Sequence, residues 1–308
     1  MTEFHGALTM LSSVLAPAFF DVLGLAALGV PLLAAAAEIL GRVQRKAFLD
    51  RFAQHLTVMG FGLLALVLIV AVAGAGLAAL RFPEIMARLH APGSPLFPFY
   101  GALAAVLAFH GLYRFGWSLP KGPHLLLGLL AGLSSLTAIF LSLPALRGFA
   151  LLLTPEAATA PGLVPSLGSP FWPCLVQYVA LAPALAGAMG LLFLVHRRDR
   201  DNYGRDYYAF SMRLAARWAA LSVLPALLAQ PWVLFSLEPG LRALVLVSPT
   251  GLLWALAVLL MLLCAGLWWA VAKSGSPMRL KGLMLGSALL AWLFHSLLLA
   301  LAAELFFS

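Results

Sequence analysis

Residues 54–80 read QHLTVMGFGLLALVLIVAVAGAGLAAL, a run without a single Asp, Glu, Lys or Arg. A helix needs about 20 apolar residues to cross the hydrocarbon of a bilayer, and this run supplies them. The apolar residues are continuous rather than alternating, which excludes the strand pattern of a membrane barrel. Working outward, runs of the same kind cover 18–39, 98–118, 124–145, 173–196, 213–237, 249–272 and 281–304. With 63% apolar and 10% charged residues, nothing is left over for a soluble domain. In lipid only helices or closed barrels satisfy the backbone, so the expected fold is an all-α integral membrane protein of eight transmembrane helices.

The links between spans alternate between basic and nearly uncharged. Of the 19 Lys and Arg residues, 15 fall in or beside the odd-numbered links: Arg42 to Arg51, Arg114 to Lys121, Arg197 to Arg217, and Lys273 to Lys281. The even-numbered links carry only Arg81, Arg88, Arg147 and Arg242. Basic loops stay on the cytoplasmic side, which predicts a bacterial inner-membrane protein with both termini outward. The net charge of +8 is therefore a topology signal, and no nucleic-acid partner is expected. Arg197, Arg198 and Arg200 alternate with Asp199 and Asp201, as on a solvated surface. The start of the chain carries Glu3 and His5 in place of a basic leader, so no cleavable signal peptide is expected. Cys174 and Cys264 lie in different spans and read as small lipid-buried side chains. No metal site, Walker loop or nucleophile elbow is present.

Laying the chain on itself with a shift of half its length aligns Glu84, Arg88, Ser94 and Pro95 with Glu238, Arg242, Ser248 and Pro249. Pro123, Gly128, Gly132 and Phe140 then fall on Pro277, Gly282, Gly286 and Phe294. Four spans per half is an even number, so the halves point the same way: a parallel repeat of two four-helix bundles, residues 1–154 and 155–308. The repeated Glu-x-x-x-Arg is expected to be an i, i+4 pair in an interfacial turn.

Ionisable and amide groups inside spans are costly and mark candidate sites. The outward half holds Asp21, Gln177, Gln230 and His295. One reading is a quinone or quinol site, with His295 and Gln230 bonding the ring oxygens and Asp21 taking a released proton. The other is an interhelical polar clasp. Pro225 and Pro231 bracket Gln230 and are expected to kink the sixth span there. The inward half holds Glu38, His110 and Arg114, with His55, His124 and His196 at helix ends. His110 could ligate a haem b, but the preferred reading is a bundle histidine paired with Glu38 or Arg114. His90 and His196 are expected in water. Tyr203 to Tyr208, with Trp117, Trp172, Trp268 and Trp269, reads as interfacial anchoring.

Phe115-Gly116-Trp117, then Leu119, Lys121 and His124, then Leu133-Ser134-Ser135-Leu136-Thr137-Ala138, resembles subunit I of the cytochrome bd quinol oxidases. Gly93-Ser94-Pro95-Leu96, Glu38 followed by Asp50-Arg51-Phe52, Gly187-Ala188-Met189 and the stretch Arg205 to Arg217 are similar to other parts of that family, in the same order. The resemblance implies an outward N-terminus and two parallel four-helix bundles. At the places where it implies haem ligands, this chain has Ser12 or Ser13, Tyr178, and Trp254 with no methionine before Met261. Where it implies acidic residues serving haem d, Pro98, Phe99, Val106 and Leu107 stand. Haem iron takes His, Met, Cys or Tyr at an axial position, so haem b and haem d are not expected. The quinol-binding loop shrinks to Glu238–Pro249 and a ninth helix is missing.

The resulting expectation is a membrane subunit of a bacterial respiratory electron-transfer complex, built on this scaffold without its oxygen-reducing haems. It would bind quinone near the outward face and assemble with membrane or periplasmic redox subunits that are cytochromes or iron–sulfur proteins. No catalytic residue is assigned, and whether the chain is itself an enzyme stays open. A transporter or channel is the first alternative, although matched broken helices are missing. A purely structural subunit is the second.

Overall fold

The computed structural model describes residues 2–153, 165–201 and 203–307, apart from the side chains of 2–10, 147–153, 244 and 303–307. The helices are α1 (Thr2–Gln44), α2 (Ala47–Arg81), α3 (Pro83–Leu89), α4 (Leu96–Phe115), α5 (Lys121–Leu153), α6 (Phe171–Arg198), α7 (Arg205–Ser236), α8 (Pro239–Val247), α9 (Pro249–Lys273) and α10 (Lys281–Phe307). Eight are long and apolar enough to cross a membrane. The other two, α3 and α8, are short helices in links at the end away from most of the basic residues. The chain is thus an all-α membrane protein of eight spanning helices, each built on one of the expected apolar runs. A boundary at 154/155 lies outside the described residues.

The third run is shorter than its hydropathy suggests. α4 stops at Phe115, where the Gly116 N–H donates to the Leu112 carbonyl at 2.8 Å. Pro120 follows, and the intervening Trp117 belongs to the turn rather than to the span. The sixth run, by contrast, is one helix that continues through both Pro225 and Pro231. Neighbouring helices and local adjustments let membrane helices carry proline in this way.

α1 and α6 are the most enclosed helices, and they pack on each other. α1 also packs on α2, α5 and α10, and α6 on α7, α10 and α5; α4 pairs with α5, and α9 with α7 and α10. Lipid tails are as apolar as leucine, so helices gain from close backbone approach rather than from hiding apolar surface. Gly29 lies so close to the Ala182 carbonyl that a Cβ there would collide with it. On the other side of α6, a Cβ on Gly187 would sit 2.7 Å from the Ala215 carbonyl oxygen. Ala26, Ala27, Ala34 and Ala37 line the same core from α1.

Three local expectations are corrected. Arg242 turns to the Leu237 carbonyl (3.3 Å) and the Phe235 ring (5.7 Å), not to Glu238. Trp268 is fully buried and donates its indole N–H to Ser287 Oγ at 2.9 Å. Tyr207 and Tyr208 are buried as well. Aromatic residues near a span end are expected at the interface, but a buried polar partner draws them inward.

Candidate functional site

The expected outward group separates into two pairs. His295 on α10 approaches Asp21 on α1, with Nε2 2.6 Å from Oδ2. The imidazole is 1% exposed and the carboxylate 36% exposed, so the pair joins a buried ring to the outside. With Nε2–H donating to the carboxylate, Nδ1 is left buried without a hydrogen-bond partner. Tyr178 stands edge-on to the imidazole, with ring centroids 6.1 Å apart. Such an arrangement can accept a proton at Nδ1 and release one through Nε2 to Asp21.

Gln230 makes a different contact. Its amide donates to Gln177 Oε1 at 2.8 Å and to the Ala226 carbonyl at 3.3 Å, both groups being buried. This pair is a clasp between α6 and α7. Gln177 neighbours Tyr178 in sequence, so the clasp fixes the helix that carries the ring facing His295.

His110 does not meet Glu38 or Arg114, which corrects the preferred reading. It is fully buried on α4, with Phe61 edge-on at 6.0 Å and the Thr57 backbone as a polar neighbour. Neither ring nitrogen makes a hydrogen bond of ordinary geometry. A Cβ on Gly60 would already lie 2.9 Å from its Cε1, so α2 leaves no slot beside the ring. Arg114 lies over the Phe115 ring at 5.4 Å.

Glu38 is the centre of a site at the opposite, basic end. It accepts from Arg42 Nη2 at 2.5 Å and from the Tyr113 hydroxyl at 2.9 Å. His124 Nδ1 lies 3.1 Å from both carboxylate oxygens, and its Nε2 lies 3.1 Å from the Tyr113 carbonyl. Arg42 also donates to the Lys121 carbonyl. The rings of Tyr113 and Trp117 lie over His124, with centroids 4.6 and 4.2 Å away. Both nitrogens of His124 thus face oxygen atoms of neighbouring helices. A cavity of about 320 Å³ opens against this group, lined also by Asp50, Arg51, Gln54, Leu119 and Lys121.

A second network lies beside it. The Tyr207 hydroxyl is 2.6 Å from His55 Nδ1, and His55 Nε2 is 3.1 Å from Asp201. Asp201 also accepts from Arg197 at 2.7–2.8 Å and from Tyr208 at 3.3 Å. Asp201 is therefore turned into the bundle, contrary to the solvated surface expected of this link. Arg51 lines the cavity and donates to the Tyr203 hydroxyl at 3.3 Å, whose ring in turn faces His55. His90 and His196 are exposed.

These commitments bear on haem. His55 and His124 spend their ring nitrogens on other residues, so neither completes an axial pair with His110. Tyr178 meets His295 directly, and that ring is engaged with Asp21. Trp254 packs against Leu234, Leu237 and Val245, while Val106 and Met261 are fully buried in the core. Ser12 and Ser13 are exposed. Among the described residues no three His, Cys, Asp or Glu side chains converge to hold a metal ion.

No family model and no curated protein matches the chain. A solved structure does: the bd oxidase from Geobacillus thermodenitrificans, 14% identical, with a TM-score of 0.67 over 98% of this chain and 87% of that one. The fold is bd-oxidase-like. At this identity the likeness speaks for the bd-oxidase-like path of the backbone and leaves the side-chain chemistry to be argued from this chain alone.

The basic-end networks were not legible as sites. Glu38 and Arg42 stand one turn apart in sequence, a visible signal, but Tyr113 and His124 join them only because Gly116 and Pro120 fold α5 back on α4. His55 and Asp201 come from different halves of the chain and carried no signal.

Proposed function

We propose that this protein is a membrane subunit of a bacterial respiratory electron-transfer complex that oxidises or reduces quinone at the Asp21–His295 pair. The observation that carries the reading is a buried imidazole with one unpartnered nitrogen, tied through the other to a half-exposed carboxylate, in a bd-oxidase-like fold. In the quinol direction, the two hydroxyl protons pass one after the other to His295 Nδ1, and each time the Nε2 proton passes to Asp21 and outward. The two electrons leave to cytochrome or iron–sulfur partner subunits. Gln230 contributes by holding α6, and with it Tyr178, through the clasp to Gln177. The scaffold is two like-oriented helix quartets, residues 1–154 and 155–308, with both termini on the outward face of the inner membrane. In support, the succession long, long, short, long, long recurs from α1–α5 to α6–α10.

The test is quinol turnover by the assembled complex carrying His295→Ala. A fall of about a hundredfold or more is expected if the imidazole moves the proton, and unchanged turnover removes the quinone site. The purified chain alone should give no reduced-minus-oxidised haem b signal. Recovery as a lone dimer without redox subunits would favour the transporter reading. The Gln177–Gln230 clasp favours one second reading, a purely structural subunit, which unchanged turnover with lost assembly in Gln230→Leu would support.

A further inference from the structure

We infer that Tyr207 is a redox-active tyrosine, oxidised by one electron while its phenolic proton moves to His55. This inference is independent of the quinone reading and uses no residue of it. Tyr207, Tyr208 and His55 are buried at the basic end of the bundle, where α2 meets the start of α7. The Tyr207 hydroxyl lies 2.6 Å from His55 Nδ1, and His55 Nε2 lies 3.1 Å from the Asp201 carboxylate. Arg197 already balances the charge of Asp201 through contacts at 2.7 and 2.8 Å. The imidazole is therefore neutral: Nε2–H donates to Asp201, and the bare Nδ1 accepts from the phenol.

A phenol gives up an electron readily only when its proton has somewhere to go, because the phenol cation radical is a strong acid. The surroundings of the three clustered tyrosines separate them on this point. Tyr203 accepts from Arg51 at 3.3 Å, and a guanidinium takes no proton. Tyr208 donates to Asp201 at 3.3 Å, but to the same oxygen that Arg197 and His55 already hold. Of the three, Tyr207 is the one that faces a basic nitrogen.

In the step, one electron leaves Tyr207 for a metal-centred one-electron oxidant at the protein surface. The phenolic O–H bond breaks, and its proton forms an N–H bond at His55 Nδ1. The products are a neutral phenoxyl radical and an imidazolium whose charge lies beside Asp201. Re-reduction by one electron returns the proton along the same hydrogen bond. Stacked rings give the electron its route: Tyr203, 40% exposed, has its centroid 5.6 Å from that of Tyr207. Phe48 at 5.7 Å and His55 at 5.4 Å flank Tyr207, which is 1% exposed, so the radical is shielded from water.

Other tyrosine–histidine neighbours give internal comparisons. Tyr113 lies against His124, but its hydroxyl donates to Glu38 at 2.9 Å. The Tyr100 hydroxyl lies 3.2 Å from His90 Nε2, and both of those side chains are exposed.

The experiment is photo-oxidation of the purified full chain in detergent by flash-generated tris(bipyridine)ruthenium(III), followed by freezing and electron paramagnetic resonance. A neutral tyrosyl signal is expected, and growth on heavy-nitrogen histidine should change its nitrogen modulation. Tyr207→Phe should remove the signal, and Tyr100→Phe should leave it. His55→Leu should lower its yield about tenfold or more, the worth of a hydrogen bond to a charged group. The isotope measurement needs no change at Tyr207 or His55, so it decides the matter, together with Tyr100→Phe, if those variants fail to fold. A tryptophan radical, a tyrosyl signal indifferent to the histidine isotope, or one lost with Tyr100→Phe would overturn the inference. So would an undiminished signal in Tyr207→Phe or His55→Leu.

Discussion

His124 on α5 reaches back across 86 residues to Glu38 on α1, and its Nδ1 rests 3.1 Å from both carboxylate oxygens. With Arg42 and Tyr113 on the same carboxylate, three helices are tied together at one point. Removing the charge at Glu38 leaves Arg42 and His124 facing each other in a buried space. Glu38→Gln is expected to cost about 3–5 kcal/mol, the penalty for stranding buried charge. Thermal unfolding of the detergent-solubilised chain, followed by circular dichroism, checks this. An unchanged midpoint would show that the network is not holding the helices.

The Tyr207 hydroxyl, 2.6 Å from His55 Nδ1, satisfies an imidazole that is otherwise enclosed by rings. Tyr207→Phe strands that nitrogen and is expected to destabilise by about 1–3 kcal/mol. Tyr203→Phe, at an exposed ring, should change little. Equal effects of the two substitutions would mean that the buried bond adds nothing.

Where Gly29 meets the Ala182 carbonyl, the two central helices have no room for a side chain. Gly29→Ala should lower stability by about 1–3 kcal/mol through overpacking. Gly74 on α2 has nothing within 4 Å of its would-be Cβ. Gly74→Ala should therefore be neutral or stabilising by up to about 1 kcal/mol from helix propensity. Comparing the two melting midpoints tests the α1–α6 crossing, and a neutral Gly29→Ala would rule out so close an approach.

The clasp between Gln177 and Gln230 is a single 2.8 Å hydrogen bond between α6 and α7. A double-mutant cycle with Gln177→Leu and Gln230→Leu should return a coupling of about 0.6–2 kcal/mol, the range for polar pairs between membrane helices. Strictly additive losses would show that the two amides do not act together.

Much of the architecture can be read without coordinates, because a bilayer imposes a one-dimensional rule. A run such as 54–80 must be helical and must span, and its length and composition say so. That rule is blind to helix ends, which is why α4 stops at Phe115 before its apolar run does. It is equally blind to rotation about the helix axis. His110 meets Gly60 on α2 at the level of Val30, about two turns along α1 from Glu38, so the expected pairing did not form. Asp21 and His295 share a depth and also face each other.

The amino-acid order alone determined that eight helices cross a membrane and which links gather the positive charge, because both depend on residue type along the chain. Which polar groups touch was decided only by tertiary packing. Glycine and alanine contacts such as Gly29 on Ala182 set how each helix is turned and how near it lies to its neighbours. Hydrogen bonds act over about 3 Å, so a rotation of a fraction of a turn separates a paired histidine such as His124 from an unpartnered one such as His110.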